Sequence, residues 1–206
     1  MPKISVISPC SRSLHHMKNL RHCFKNQTFN DFEHIIVYDG QPPNDIREFF
    51  EEEMKLDSRL KLHIFDPPGG DWGTELRNFG TTIAEGEFVV FCDDDDIYMP
   101  YYLQSFADAG LDIGINTLLC CRMNNYGGIL PRGGLANFPT FGDIGTPQCA
   151  FPTFWFREPY NLRWQAGGGH DFHVVRVACE MFTPTVKILK EVGIVVRGKL
   201  EDYYDV

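Results

Sequence analysis

The sequence predicts an α/β fold with a mostly parallel central sheet covered by helices on both faces. Three observations predict it. Short β-rich apolar runs alternate with amphipathic helix-length segments through the first half, which is the pattern of βαβ units. Prolines, glycines or aspartates close each apolar run. The chain has 206 residues, 43% of them hydrophobic and 23% charged, enough for one well-packed domain.

The elements follow in order. Ile4-Ser-Val-Ile-Ser8 is a strand stopped by Pro9. Leu14, Met17, Leu20 and Phe24 fall on one face of a helix reaching Asn26. Ile35–Tyr38 is a second buried strand ended by Asp39-Gly40, and Ile46, Phe49, Phe50 and Met54 mark a second helix. Leu60, Leu62 and Ile64 alternate as a third strand before the breaker Pro67-Pro-Gly-Gly70. Leu76, Phe79, Gly80 and Ile83 give a third helix, and Phe88–Cys92 a fourth strand. Ile113–Cys121 reads as a further strand. Residues 124–169, rich in Gly, Pro, Asn and aromatics, predict irregular structure packed around a site. Phe172–Met181 and Val186–Val192 read as helical, and the chain closes on the acidic Glu201-Asp-Tyr-Tyr-Asp205.

A net charge of −9 argues against nucleic-acid binding through a broad basic face. It leaves room for a nucleotide carried by a divalent cation. The longest apolar runs are of strand length, far short of the roughly 20 residues that span a bilayer. The N-terminus enters a strand pattern without a signal-peptide core, so a cytoplasmic location is expected. Seven scattered cysteines contain no C-x-x-C pair and read as reduced thiols without a zinc site.

The chemistry concentrates where Phe88-Val-Val-Phe-Cys92 runs into Asp93, Asp94, Asp95 and Asp96. One aspartate suffices to cap a following helix, a role that suits Asp96. Four like charges at a buried strand end exceed that need and suit Mg²⁺ or Mn²⁺ shared with a substrate phosphate. Ligands of open α/β sheets bind at the carboxyl ends of the strands, and Asp39 also falls at such an end.

Asp93-Asp94-Asp95 resembles the D-x-D motif of GT-A glycosyltransferases, in surroundings similar to family 2. Four further segments agree in order: Val6-Ile-Ser-Pro9; Asn26-Gln-Thr-Phe29 followed by Asp31–Gly40; Arg77-Asn78-x-Gly80; and Ala84-Glu-Gly-Glu-Phe88. This resemblance covers residues 4–103 well. Later, Gly167-Gly-Gly-His170-Asp171 with Arg176 is similar to the family's glycine-rich approach to a helix-start aspartate.

The resemblance implies a three-layer α/β/α sandwich over residues 1–206, with 1–110 binding nucleotide and 111–206 binding acceptor. It implies metal-dependent transfer of a sugar from a nucleoside diphosphate sugar, UDP-sugar favoured, to a hydroxyl acceptor such as a glycan or glycoprotein. Mn²⁺ or Mg²⁺ would be the cofactor. Pro9, Ser11 and Arg12 would border the nucleotide, and Asp39 would accept a hydrogen bond from a pyrimidine N–H. Arg77 would lie near the diphosphate or brace the acidic cluster. One division gives Asp93 the ribose and Asp95 the metal; Asp93 as a ligand beside Asp95, and Asp94 as a nucleotide contact, stay open. Asp171 would be the general base of a direct inverting displacement. Departures are Tyr38 for the first acid of the usual pair, Gln41 for a serine, and His170 for an acid. His170 would then complete the metal shell, leaving a retaining outcome open. Trp155 or Trp164 is a candidate acceptor contact, against core packing for the other aromatics nearby.

Two other readings compete: a metal-dependent phosphoryl or nucleotidyl transferase, and a non-catalytic nucleotide-sugar or carbohydrate-binding module. A haloacid-dehalogenase-type phosphatase wants its D-x-D near the start of the domain, and Pro9-Cys-Ser-Arg12 is not the glycine-rich loop of a sugar nucleotidyltransferase.

Overall fold

The computed structural model describes residues 1–110 and 116–204. The first half forms β1 (Ile4–Cys10), α1 (Leu14–Lys25), β2 (Phe32–Asp39), α2 (Asn44–Leu56), β3 (Leu60–Phe65), α3 (Thr74–Ile83), β4 (Phe88–Phe91), β5 (Ile97–Tyr98) and α4 (Tyr102–Asp108). The second adds β6 (Thr117–Asn125), β7 (Gly128–Leu130), β8 (Cys149–Pro152), α5 (His170–Phe182) and β9 (Thr185–Val195). The expected strand at Ile113–Cys121 lies partly outside the described residues, and its remainder begins β6.

Along the sheet the order is β3-β2-β1-β4-β8-β6-β9-β5, with β7 paired to β6. β3, β2, β1 and β4 are parallel, and β8 runs against both β4 and β6. β9 is parallel to β6, while β5 opposes β9. Strands at the middle of such a sheet must be apolar on both faces. β1 accordingly is buried at every position, and its side chains alternate between two cores. Val6 joins Met17, Leu20 and Phe24 of α1 and Phe50 of α2 on one face. Ile7 joins Leu76 of α3 and Val174 of α5 on the other. The expected three layers are therefore present. Gly80 lets α3 approach closely, because a Cβ there would collide with Ile7 Cγ2.

Three expectations need correction. Val186–Val192 is not helical; it lies in β9. Bulges in the β6–β9 register, around Arg122, break the two-residue period that marks a strand. The 124–169 stretch is not all irregular, since β8 enters the middle of the sheet between β4 and β6. Its four residues are too few to display a period. Asp96 caps no helix: α4 starts at Tyr102, and Asp96 Oδ1 instead accepts the Arg197 N–H at 3.0 Å. All seven cysteines are free, and six are buried. Among the described residues, no helix is long and apolar enough to cross a membrane.

Candidate active site

Parallel topology brings the carboxyl ends of β1, β2, β3 and β4 to one edge, and an open cleft of about 570 Å³ lies there. Ten of the residues singled out in the sequence line it: Pro9, Ser11 and Arg12 after β1, Asp39 ending β2, Arg77 on α3, Asp93, Asp94 and Asp95 after β4, and His170 and Asp171 opening α5. Trp72, Thr146 and Arg197, which sequence reasoning passed over, line it as well.

The acidic run fans out. Asp93 Oδ1 takes Arg77 Nη2 at 2.5 Å. The Arg77 side chain is only 3% exposed; it also donates to the Trp72 carbonyl at 2.6 Å and lies 4.9 Å from the Trp164 ring centroid. Asp94 Oδ2 accepts the Ser11 and Arg12 N–H groups at 3.1 and 3.3 Å, tying the run to the end of β1. Arg12 pairs with Asp94 at 3.2 Å and with Asp95 Oδ2 at 2.7 Å, and Arg197 reaches the same Asp95 oxygen at 3.2 Å.

These arginines do not erase the cost of gathering the acids. Burial pushes the Asp93 carboxyl above its usual range; Arg77 opposes this, while Asp171 and Asp95 add to it. Burial raises Asp94 against its two backbone hydrogen bonds. Burial, aided by Asp93, pushes Asp96 up to about 8.

Across the cleft, Asp171 sits in the first turn of α5, where the helix dipole favours a carboxylate. Its Oδ1 accepts the Thr146 hydroxyl at 2.6 Å and His170 Nε2–H at 3.1 Å. Both bonds fall on one oxygen, so Oδ2 is the side open to a proton. His170 Nδ1 faces the Gly167 carbonyl at 3.2 Å. Both ring nitrogens thus face acceptors, and the Asp171 hydrogen bond, against burial, raises the His170 pKa. A metal on His170 would have to displace one of these two contacts, on Asp171 or on Gly167.

Asp93 and Asp95 do fit a divalent cation. Oδ2 of Asp93 and Oδ1 of Asp95 have no hydrogen bond or ion pair among the described residues. No group of three or more His, Cys, Asp or Glu side chains forms a ready metal cage among those residues. Mg²⁺ and Mn²⁺ need no such cage when one or two carboxylates and substrate phosphates complete the shell.

Asp39 holds a loop: its two oxygens accept the Gly69 and Gly70 N–H groups at 2.7 and 3.3 Å. A carboxylate has about four acceptor positions, so capacity for a ligand N–H remains. Gln41 is drawn to Asp66 and Arg47, away from the cleft. Arg176 pairs with Glu180 at 2.6 Å instead of turning into the site. Trp155 and Trp164 are both buried, so neither presents a face to an acceptor; Trp164 backs Arg77 from behind.

A family model described as glycosyl transferase family 2 matches residues 5–175. The chain is similar to a GalNAc(5)-diNAcBac-PP-undecaprenol beta-1,3-glucosyltransferase of Campylobacter jejuni. They share 35% identity over 100 residues, which is 47% of this chain and 30% of that protein. It is also similar to a putative glycosyltransferase, EpsH, of Bacillus subtilis, with 30% identity over 103 residues, 50% of this chain and 29% of that protein. Among solved structures, S. aureus TarS 1-349 superposes with a TM-score of 0.72 at 20% identity, covering 94% of this chain and 60% of that one. TarS 1-349 has also been solved in complex with UDP-GlcNAc. A mannosyltransferase from Pyrobaculum calidifontis, in complex with GDP-Man and Mn²⁺, gives 0.71 at 16% identity, covering 98% and 59%. The chain thus spans under a third of the length of these two curated relatives.

Proposed function

The chain belongs to glycosyl transferase family 2, and from that premise we propose that it transfers a sugar from a nucleoside diphosphate sugar, UDP-sugar favoured, to a hydroxyl acceptor with Asp171 as general base. One observation carries the reading. The Asp171 carboxylate, the Asp93–Asp95 cluster and Asp39 line a single cleft at the strand ends. In this reading residues 1–110 bind the donor and 111–206 help to bind the acceptor.

The chain's residues divide the work as follows. Asp39 accepts the N–H of a uracil ring, and the Pro9–Arg12 turn borders the nucleotide. Arg12 and Arg197 neutralise the diphosphate from the open side of the cleft. Asp93 and Asp95 would hold Mn²⁺ or Mg²⁺, which when bound supplies positive charge against the departing diphosphate. Thr146 and His170 fix Asp171 through Oδ1. Asp171 Oδ2 then removes the acceptor hydroxyl proton as that oxygen bonds to the anomeric carbon. The anomeric bond to the diphosphate breaks in the same displacement, and the nucleoside diphosphate leaves with its electron pair.

Melting temperatures with UDP-, GDP- and dTDP-sugars, each with and without Mn²⁺, test the donor half. UDP-sugar with Mn²⁺ should stabilise most, by mass action on the folded state; no stabilisation by any nucleotide sugar would refute the reading. Asp171→Asn tests the acceptor half: UDP affinity should persist while transfer falls by roughly 10²–10⁴-fold, the usual worth of a general base. Unchanged turnover would remove Asp171 from the role.

A further inference from the structure

Trp72 is the one tryptophan of three that the fold leaves in water: it is 79% exposed, while Trp155 and Trp164 are buried. It stands at the lip of the cleft, on the loop between β3 and α3. Its backbone is left-handed, with φ 55° and ψ 27°, directly after Asp71 at φ 49°. Non-glycine residues rarely adopt that conformation, and two in succession persist only where the surroundings impose it.

The surroundings here are cleft residues. Asp39 grips the loop through the Gly69 and Gly70 N–H groups. Arg77 Nη1 donates to the Trp72 carbonyl itself. Gly73, at φ +78°, lies so close to β1 that a Cβ would come within 2.9 Å of Pro9 Cβ. The backbone is therefore fixed at three points, whereas the indole has no ring partner among the described residues and is 79% exposed. A large flat apolar face carried on a fixed backbone at a binding cleft, and left in solvent, suits a flat conjugated partner.

We propose that Trp72 stacks on the nucleobase of the donor nucleotide, on a rigid mount formed by the Gly69–Gly73 loop. The inference rests on the nucleotide-sugar reading above and adds a contact to it. The Trp72 loop is gripped directly by Asp39, assigned to the base edge, which selects the base over the sugar. Stacking tolerates any base because each has a π-face, so Trp72 supplies affinity and Asp39 the discrimination.

The test measures binding of UDP and of inorganic pyrophosphate, both with Mn²⁺, to the wild-type chain, Trp72→Phe and Trp72→Ala by calorimetry, with tryptophan emission followed in parallel. UDP should quench wild-type emission. Trp72→Ala should bind UDP about 10-fold or more weakly, as expected for one lost base–aromatic stack. Trp72→Phe should keep affinity within about three-fold while losing most of the quench, since an aromatic face remains. Pyrophosphate, which has no base, should bind all three alike. Equal UDP affinity in wild type and Trp72→Ala would overturn the stack and leave the donor reading standing. A matching loss of pyrophosphate binding would also overturn it, by showing a damaged loop. No UDP binding by the wild-type chain would overturn both readings together.

Discussion

Replacing Arg77 by methionine asks how much of the fold depends on balancing the acidic run. Methionine keeps most of the buried stem and removes the guanidinium. Three contacts go: the Asp93 ion pair at 2.5 Å, the Trp72 carbonyl bond at 2.6 Å, and the face of Trp164 at 4.9 Å. Removing one partner of a buried ion pair costs about 3–5 kcal/mol, because the other charge is left without compensation. The Asp93 side chain is 28% exposed to the open cleft, so water recovers part of this. The low end applies, and losing the ring contact adds roughly 1 kcal/mol. The expected loss is thus about 3–4 kcal/mol, a large share of the roughly 5–15 kcal/mol that holds a domain folded. With a urea slope near 2 kcal/mol/M, the midpoint should fall by about 1.5–2 M. Asp93→Asn removes the charge that Arg77 serves, so adding Arg77→Met to it should cost about 2 kcal/mol less than in the wild type. A midpoint shift below about 0.3 M, or an additive double-mutant cycle, would refute the reasoning.

Further expectations follow from the same geometry. Thr146→Val removes one of two hydrogen bonds that orient Asp171; a bond to a charged group is worth about 1.5–3 kcal/mol, so kcat should fall roughly 10–100-fold, with UDP affinity kept and activity restored by Thr146→Ser. Equal kcat in Thr146→Val would show that His170 orients the base alone. His34 is fully buried between Arg21 (Nη1 to Nδ1, 3.2 Å) and Ser8 (Oγ to Nε2, 3.1 Å), and burial, with Arg21 adding to it, pushes its pKa well below the usual value. Its unfolded pKa is about 6.5, so its contribution is whole above that pH and is lost as pH falls, by up to about 1.4 kcal/mol per unit. Urea midpoints at pH 7.5 and 5.5 would measure this, and His34→Gln should flatten the difference; an unchanged drop would clear His34. Gly80→Ala should overpack α3 against Ile7 and cost about 1–3 kcal/mol, visible as a melting temperature several degrees lower; wild-type melting would refute the close contact.

The parallel half was legible because its strands are buried on both faces and each ends on a residue that cannot continue it. Val6 and Ile7 point to opposite cores, so no single face had to be guessed. Strand ends of parallel sheets share one edge, so Asp39 and Asp93–Asp95 could be placed together before any contact was known. Local pattern failed where partners came from far along the chain. Arg197 meets Asp95 across 102 residues, and nothing in Val195-Val-Arg-Gly marks it. Thr146 reaches Asp171 from a stretch without periodicity. Asp96 looked like a helix cap because Pro100 follows it, yet the first turn of α4 begins beyond that proline. The two-residue β5 lies between them and is below any pattern. Trp72 gave no signal of its own, since an isolated tryptophan between Asp71 and Gly73 reads as readily as core.

Charge decides how the arginines divide their work. Six carboxylates line the cleft (Asp39, Asp71, Asp93, Asp94, Asp95 and Asp171) against three guanidiniums and the His170 ring. All three guanidiniums already serve aspartates. A diphosphate entering this cleft adds negative charge where Asp93 and Asp94 are already pushed toward protonation. Arg77, buried behind Asp93 and against Trp164, cannot turn outward without unpacking the site. Arg12 and Arg197 can: their side chains are 42% and 59% exposed. Once they turn to the phosphates, the carboxylate left bare is Asp95, one of the two with an oxygen free for a cation. On the proposed function, nucleotide and divalent cation should therefore bind with positive coupling, and by linkage each should raise the affinity of the other by the same factor. A coupling of about 1–3 kcal/mol corresponds to roughly 5–150-fold. Calorimetric titration of Mn²⁺ with and without saturating UDP, and of UDP with and without Mn²⁺, measures both arms. Arg12→Gln with Arg197→Gln should shrink the factor, because Asp95 is then bare before the nucleotide arrives. Equal Mn²⁺ affinity with and without UDP would show that the arginines stay on the aspartates and that the acidic run answers to them alone.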